Sequence, residues 1–161
     1  MVARYPLIVN PNTNQIQELP SGDTLIGFSA IQARATTNAS TGSIAQTASA
    51  DITVPAAGKS FALLKITISA PAWVVLYIDS ASRSADASRT EGTDPTPGSG
   101  VLAEVSTTTG GASTFNMTPA VYGWNNEGTP AAQVFAKVVN KRATTGNNAI
   151  TVTLTSIQLE P

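Results

Sequence analysis

The most apolar part of the chain consists of two runs, residues 61–68 and 73–78, with a break at Pro71. Both runs are rich in β-branched and aromatic residues, which favour strands. Proline cannot donate a hydrogen bond to a sheet ladder, so Pro71 predicts a corner or an edge between two strands. A membrane-spanning helix is the rival interpretation, and the polar residues within the stretch and its central proline argue against it.

Alternation within these and later runs predicts which side chains form the core. In residues 61–68 the even positions are the better candidates, because the odd positions include Lys65 and Thr67. In residues 150–155 three apolar residues alternate with three threonines, so one face is buried and the other carries hydroxyls. The predicted core residues are Leu64, Ile66, Ile68, Trp73, Val75, Val134, Val138, Ile150, Val152 and Leu154.

The remaining alternating runs bring the count to roughly eight strands with turn signals between them and almost no helical periodicity. This spacing predicts an all-β fold, a two-sheet antiparallel sandwich of jelly-roll or immunoglobulin-like type, with residues 51–161 as its body. Residues 73–78 are apolar on both faces, as in a strand that is covered on both sides or that meets another subunit. Beyond residue 155 the apolar positions shift to Ile157 and Leu159, which predicts a β-bulge near Thr155–Ser156 or a strand that turns its apolar face elsewhere.

Residues 1–25 differ from the body and predict an extended N-terminal arm or a small hairpin. Two short apolar runs, residues 7–9 and 16–19, flank residues 10–14, which have turn chemistry. A two-stranded ribbon is marginal alone, so these residues need a surface, either the chain's own body or a neighbouring subunit. Residues 26–50 follow as a weak strand and a loop rich in Thr, Ser and Ala. The arm residues expected to make contacts are Arg4, Tyr5, Pro6, Leu7, Val9, Ile16 and Leu19.

A polar excursion, residues 79–100, holds the densest charge in the chain. Its carboxylates match no calcium loop in spacing, and a glycosidase pair would need a sugar cleft on the same surface. Ser84 is an acceptable N-cap for one helical turn. We expect ion pairs that hold the shape of this loop, formed by Arg83, Asp86, Arg89 and Asp94.

Composition restricts the possible partners. Charged residues make up only 12% of the chain and the net charge is −1, so the surface is mainly hydroxyl, amide and small apolar groups. Such a surface suits a protein packed against copies of itself or a partner, and a neutral extracellular domain is the alternative. The scattered lysines and arginines form no basic stripe, so we expect no nucleic acid and no membrane as a partner. The first ten residues do not have the pattern of a secretory signal.

The absence of Cys and His narrows the chemistry further. Thiolate nucleophiles, disulfides, imidazole ligands and the Ser-His-Asp triad are excluded. Carboxylate, lysine or hydroxyl chemistry remains open, and we predict a non-enzymatic protein that needs no cofactor or metal. Aromatic residues on strands are usually core or interface, although stacked on a sheet face they could bind sugar rings. The aromatic residues weighed for this role are Trp73, Tyr77, Tyr122 and Trp124.

Two sets of residues resemble proteins of tailed phages. The first resembles an N-terminal segment of tail fibres, appendages and head decorations, particularly in phages that infect cyanobacteria, and comprises Arg4-Tyr5-Pro6-Leu7, Gln17-Glu18-Leu19 and Ser21-Gly22-Asp23-Thr24-Leu25. The second, within residues 61–160, resembles a small β domain of phage virion proteins and comprises Pro71-Ala72-Trp73-Val74, Arg83, Asp86, Ser88-Arg89, Thr93-Asp94-Pro95-Thr96-Pro97-Gly98, Gly100-Val101 and Ala103-Glu104.

This resemblance implies a virion component, with two functions open. One is a capsid decoration or cement protein on the capsid surface, a homotrimer whose arm ties neighbouring subunits of the major capsid protein together. The other is a short tail fibre, spike or neck component that binds host surface polysaccharide. We favour the first, because one domain and one arm lack the repetitive shaft expected of a fibre.

Overall fold

The computed structural model describes residues 7–10, 15–18, 32–108, 110–143 and 147–161. These residues contain ten strands and one short helix, so the predicted all-β class is confirmed. The chain divides into two compact units, residues 1–31 and residues 32–161.

The first unit contains a hairpin. Strands β1 (Leu7–Asn10) and β2 (Gln15–Glu18) pair antiparallel, and Val9 lies directly opposite Ile16. Both of these side chains are exposed. Leu7 of the predicted arm residues lies in β1. The remaining arm residues lie outside the described residues: Arg4, Tyr5, Pro6 and Leu19. Residues 26–31 of the predicted weak strand also lie outside them.

The second unit contains β3 (Ala35–Ser40), β4 (Ser49–Pro55), β5 (Ser60–Ile68), β6 (Ala72–Tyr77), α1 (Ser80–Ala85), β7 (Val101–Ser106), β8 (Ser113–Trp124), β9 (Gln133–Asn140) and β10 (Thr151–Glu160). Its strands form a sandwich of two antiparallel four-stranded sheets, with strand orders β3-β10-β5-β8 and β4-β9-β6-β7. The strands pair from the ends of the unit inward: β3 with β10, β4 with β9, β5 with β8 and β6 with β7. A ribbon folded on itself in this way has jelly-roll topology.

The inner faces of the two sheets meet in one apolar core. Alternation along β9 and β10 buries every second residue against the opposite sheet, as the pattern predicts. Seven of the predicted core residues are in this cluster: Ile66, Ile68, Val134, Val138, Ile150, Val152 and Leu154. Two more, Trp73 and Val75, are buried in a separate cluster on the outside of the second sheet.

The prediction for Leu64 is wrong, because a β-bulge changes the side-chain alternation of β5. Thr155 pairs with Lys65 and Ser156 pairs with Leu63, so Leu64 is an extra residue without a partner in the ladder. Leu63 is therefore fully buried, whereas Leu64 is only half-buried. The bulge predicted near Thr155–Ser156 is present, but the extra residue belongs to β5.

Residues 35–40 form a strand and not the loop predicted from their low complexity. β3 pairs with β10 along its whole length and lies at the edge of its sheet. Its inner positions are only partly buried, and Ala39 among them packs against the core. An edge strand needs little apolar bulk on its inner side, so its signal in the sequence is weak.

Candidate functional site

The two sheets present very different outer surfaces. We call the outer side of β4-β9-β6-β7 the covered face, because residues 79–100 lie across it, and the outer side of β3-β10-β5-β8 the open face. The covered face carries a buried cluster of Trp73, Val75, Tyr77 and Phe135. The open face carries two of the large exposed hydrophobic residues of the body, Tyr122 and Trp124.

The cover begins with α1, whose N-cap differs from the one predicted at Ser84. The carboxylate of Asp79 accepts a hydrogen bond from the Ser82 amide at 2.6 Å and another from the side chain of Asn126 at 2.9 Å. Burial raises the pKa of Asp79, but these hydrogen bonds outweigh it and hold the pKa below its usual value. Asp79 thus fixes the start of the cover to the turn that follows β8.

Asp86 is the buried anchor in the middle of the cover. Its carboxylate accepts a hydrogen bond from the Tyr77 hydroxyl at 2.7 Å and two from Nε of Arg89 at 2.8 and 2.9 Å. Burial, followed by the bond to Asp86, raises the pKa of Tyr77 well above its usual value. Tyr77 therefore acts as a neutral donor, and the Asp86–Arg89 pair neutralises itself under the loop.

Two further charged groups, Lys137 and Glu104, tie the cover to the sheet. Lys137 is 5% exposed, and its ammonium group donates to the carbonyls of Ala87 at 2.7 Å and Arg89 at 3.0 Å. Glu104 accepts from the Trp73 indole at 2.6 Å and from Arg89 at 2.8 Å. Burial lowers the pKa of Lys137. Lys137 is a single charged residue within an apolar strand, and this pattern in the sequence points to such an anchor, although Lys137 was not among the predicted site residues.

The four predicted loop-shaping residues are only partly brought together. Arg89 and Asp86 form the expected pair, but Arg83 forms an ion pair with Asp51 of β4 at 3.2 Å and donates a hydrogen bond to a backbone carbonyl of that strand. Asp94 is exposed and forms no ion pair within the described residues. The prediction fails for Arg83 because its partner lies on the sheet under the loop and not nearby in the sequence.

The open face is built from rows that run across the strands. Tyr122 of β8 pairs with Ala62 of β5, and Ala62 pairs with Ile157 of β10. The next row toward the end of the sheet runs from Trp124 through Ser60. The exposed fractions of Tyr122 and Trp124 are 69% and 51%, so both rings reach solvent. Their alternate positions on β8 place them on the same side of the sheet.

Toward the other end the open face is polar. Thr67 and Thr114 share a hydrogen bond of 3.0 Å between their hydroxyls, and Thr36 and Thr155 share one of 3.3 Å. Thr153 lies beside Thr67 in the same row. This end is therefore an ordered array of hydroxyl groups next to an aromatic pair.

Other kinds of site find little support. Among the described residues, no group of three or more acidic, His or Cys side chains is placed to hold a metal ion. None of the described helical residues forms a segment long and apolar enough to cross a membrane. A depression of about 320 Å³ opens beside Trp73, but its charged lining residues already have partners: Arg89 and Glu91 form ion pairs, and Lys137 donates to backbone carbonyls.

No protein-family model, curated protein or solved structure matches the chain. The interpretation of both faces therefore depends on their own geometry and chemistry.

Proposed function

We propose that the protein is a non-enzymatic structural component of a tailed-phage virion, and that it decorates and cements the capsid. In this function the jelly-roll body sits on the shell, and the N-terminal hairpin binds neighbouring subunits of the major capsid protein. The resemblance of residues 4–25 and 61–160 to phage virion proteins supports this assignment.

The observation that carries the proposal is the exposed apolar side of the hairpin. Val9 and Ile16 face each other across the two strands, with 62% and 71% of their surfaces exposed. An isolated hairpin of two four-residue strands is marginal in water. Contact with a neighbouring subunit would bury both side chains and stabilise the hairpin.

The low charge of the chain supports the same function. With 12% charged residues and a net charge of −1, little charge has to be desolvated when the protein attaches to a shell. Most charged residues of the cover are paired within it or with the sheet beneath it, which leaves few of them available for electrostatic attachment. Attachment should therefore depend only weakly on salt concentration.

A component of the tail is the second candidate, and one observation favours it. The exposed Tyr122 and Trp124 on the open face would suit contact with a host cell surface. Electron cryo-microscopy of the virion separates the two locations, since density over the head lattice supports a decoration protein and density at the tail supports the alternative.

The cementing function can be tested with capsids that lack the protein. Wild-type protein and the double variant Val9→Ser/Ile16→Ser are mixed with such capsids and sedimented. We expect the wild type to co-sediment and the double variant to remain in the supernatant. Gln15→Ser, an exposed position of the same hairpin, is the matched control and should bind normally. Equal co-sedimentation of the double variant would overturn the cementing function of the hairpin.

A further inference from the structure

The rings of Tyr122 and Trp124 are held on a rigid base. Their strand is hydrogen-bonded to β5, where the opposite residues are the small Ala62 and Ser60. Small neighbours leave the sides of both rings uncovered. The two residues are two positions apart on the strand, so their Cα atoms are about 7 Å apart.

Gly123, between the two aromatic residues, points into the core and secures this base from below. A Cβ at this position would lie 2.6 Å from the ring of Phe61, which is fully buried. The glycine therefore lets Phe61 pack directly beneath β8, and the aromatic pair is supported by the main core cluster. Little backbone ordering would therefore be needed when a ligand binds.

The rest of the open face offers hydrogen bonds with almost no charge. Beyond the aromatic pair and its small neighbours, toward the other end of the face, the outward positions carry hydroxyl and amide groups, including Thr67, Thr114 and Asn116. Lys65 and Glu160 are the charged residues in the described outward rows. A charged ligand would find little to pair with on this face, so its chemistry matches a neutral ligand that has both apolar surfaces and many hydroxyls.

We propose that the open face binds a neutral polysaccharide that lies along β8. The apolar C–H faces of successive sugar rings would stack on Trp124 and Tyr122, and the hydroxyls of the sugars would exchange hydrogen bonds with Thr114, Asn116 and Thr67. A neutral sugar chain has flat apolar surfaces and many hydroxyls, which match a face with an aromatic pair, hydroxyl groups and only two charged residues in its described outward rows. The binding does not depend on the location in the virion, because it uses the body and not the hairpin.

Isothermal titration calorimetry of the full chain with dextran, galactomannan and hydroxyethyl cellulose tests this site, with the acidic polysaccharide alginate as the charge control. We expect at least one neutral polysaccharide to bind and alginate not to bind. Trp124→Ala and Tyr122→Ala should each raise the Kd at least about tenfold. Thr114→Val should raise it a few-fold by removing one hydroxyl. Val9→Ser/Ile16→Ser should bind like the wild type, which separates this site from the cementing hairpin.

Three outcomes would overturn the proposal. The first is that the wild type binds none of the three neutral polysaccharides. The second is that a Trp124→Ala variant, shown to unfold at the same denaturant concentration as the wild type, binds as the wild type does. The third is that the wild type binds no sugar but self-associates in analytical ultracentrifugation, and that Trp124→Ala abolishes this self-association. That result would assign the open face to contact between copies of this chain.

Discussion

Two strands of this protein each carry a tryptophan and a tyrosine on the outer side of a sheet, and the two pairs have opposite environments. Trp73 and Tyr77 on β6 are buried, whereas Tyr122 and Trp124 on β8 are exposed. Residue type does not explain this difference, since both pairs consist of one tryptophan and one tyrosine on the outer side of a strand. The difference lies in what the chain does after each strand.

The connection after β6 returns to the same sheet, because β7 is the neighbour of β6. Residues 79–100 can therefore fold across the outer side of that sheet. The connection after β8 instead crosses to β9 in the opposite sheet and leaves the outer side of β8 uncovered. Polar anchors such as Lys137 and Arg89 then hold the cover in place. The aromatic residues on the covered face stabilise the fold, and those on the open face are accessible to a ligand.

The sharpest test of this comparison is to remove one tryptophan from each face. Trp73→Ala should lower the free energy of unfolding by about 3–5 kcal/mol, because it empties the buried cluster and leaves Glu104 without its indole donor. Trp124→Ala should change it by about 0.5 kcal/mol or less, since the ring is half exposed. Denaturant unfolding of the two variants measures both values. Similar losses in the two variants would show that the faces do not differ in this way.

Part of this difference could be predicted from the sequence. Residues 73–78 are apolar at every position, which predicted a strand covered on both sides. The outward positions of β8 include Thr114 and Asn116, as in a strand with one side in solvent. The alternation along β10 likewise placed Val152 and Leu154 in the core correctly.

Other features could not be predicted, because they depend on contacts between distant parts of the chain. Residues 61–64 are apolar at both odd and even positions, so alternation alone does not reveal that the bulge at Leu64 puts Leu63 in the core. The partner of Arg83 is Asp51, which only the folded sheet brings beneath α1. The exposure of Tyr122 and Trp124 follows from the path of a connection, and no local pattern encodes that path.

A smaller effect is expected when one anchor of the cover is removed. Lys137→Met keeps the apolar stem but leaves the carbonyls of Ala87 and Arg89 without their buried donor, so it should cost about 1–3 kcal/mol. Lys65→Met is the matched control on the open face and should cost about 0.5 kcal/mol or less. Hydrogen exchange should show faster exchange in residues 79–100 for the first variant alone. If Lys65→Met is as costly as Lys137→Met, the cover does not depend on its anchor.

The smallest expected effect is a loss of stability in acid, and it should arise from carboxylates of the covered face. Hydrogen bonds from Lys141 and Ser106 lower the pKa of Glu91, and those from Ser82 and Asn126 outweigh burial to lower the pKa of Asp79. A carboxyl whose pKa is lower in the folded state contributes stability above its unfolded pKa and loses it as the pH falls through the folded value. Unfolding free energy should therefore decline below roughly pH 5.

Asp79→Asn should make this decline shallower, because the amide cannot take up the proton that the carboxylate binds in the unfolded state. Glu160→Gln changes an exposed carboxylate at the end of β10 and should leave the decline unchanged, since Glu160 forms no ion pair within the described residues. Denaturant unfolding at a series of pH values from neutral to acid compares the three proteins. An equally steep decline in wild type and Asp79→Asn would mean that the acid sensitivity does not arise at the start of the cover.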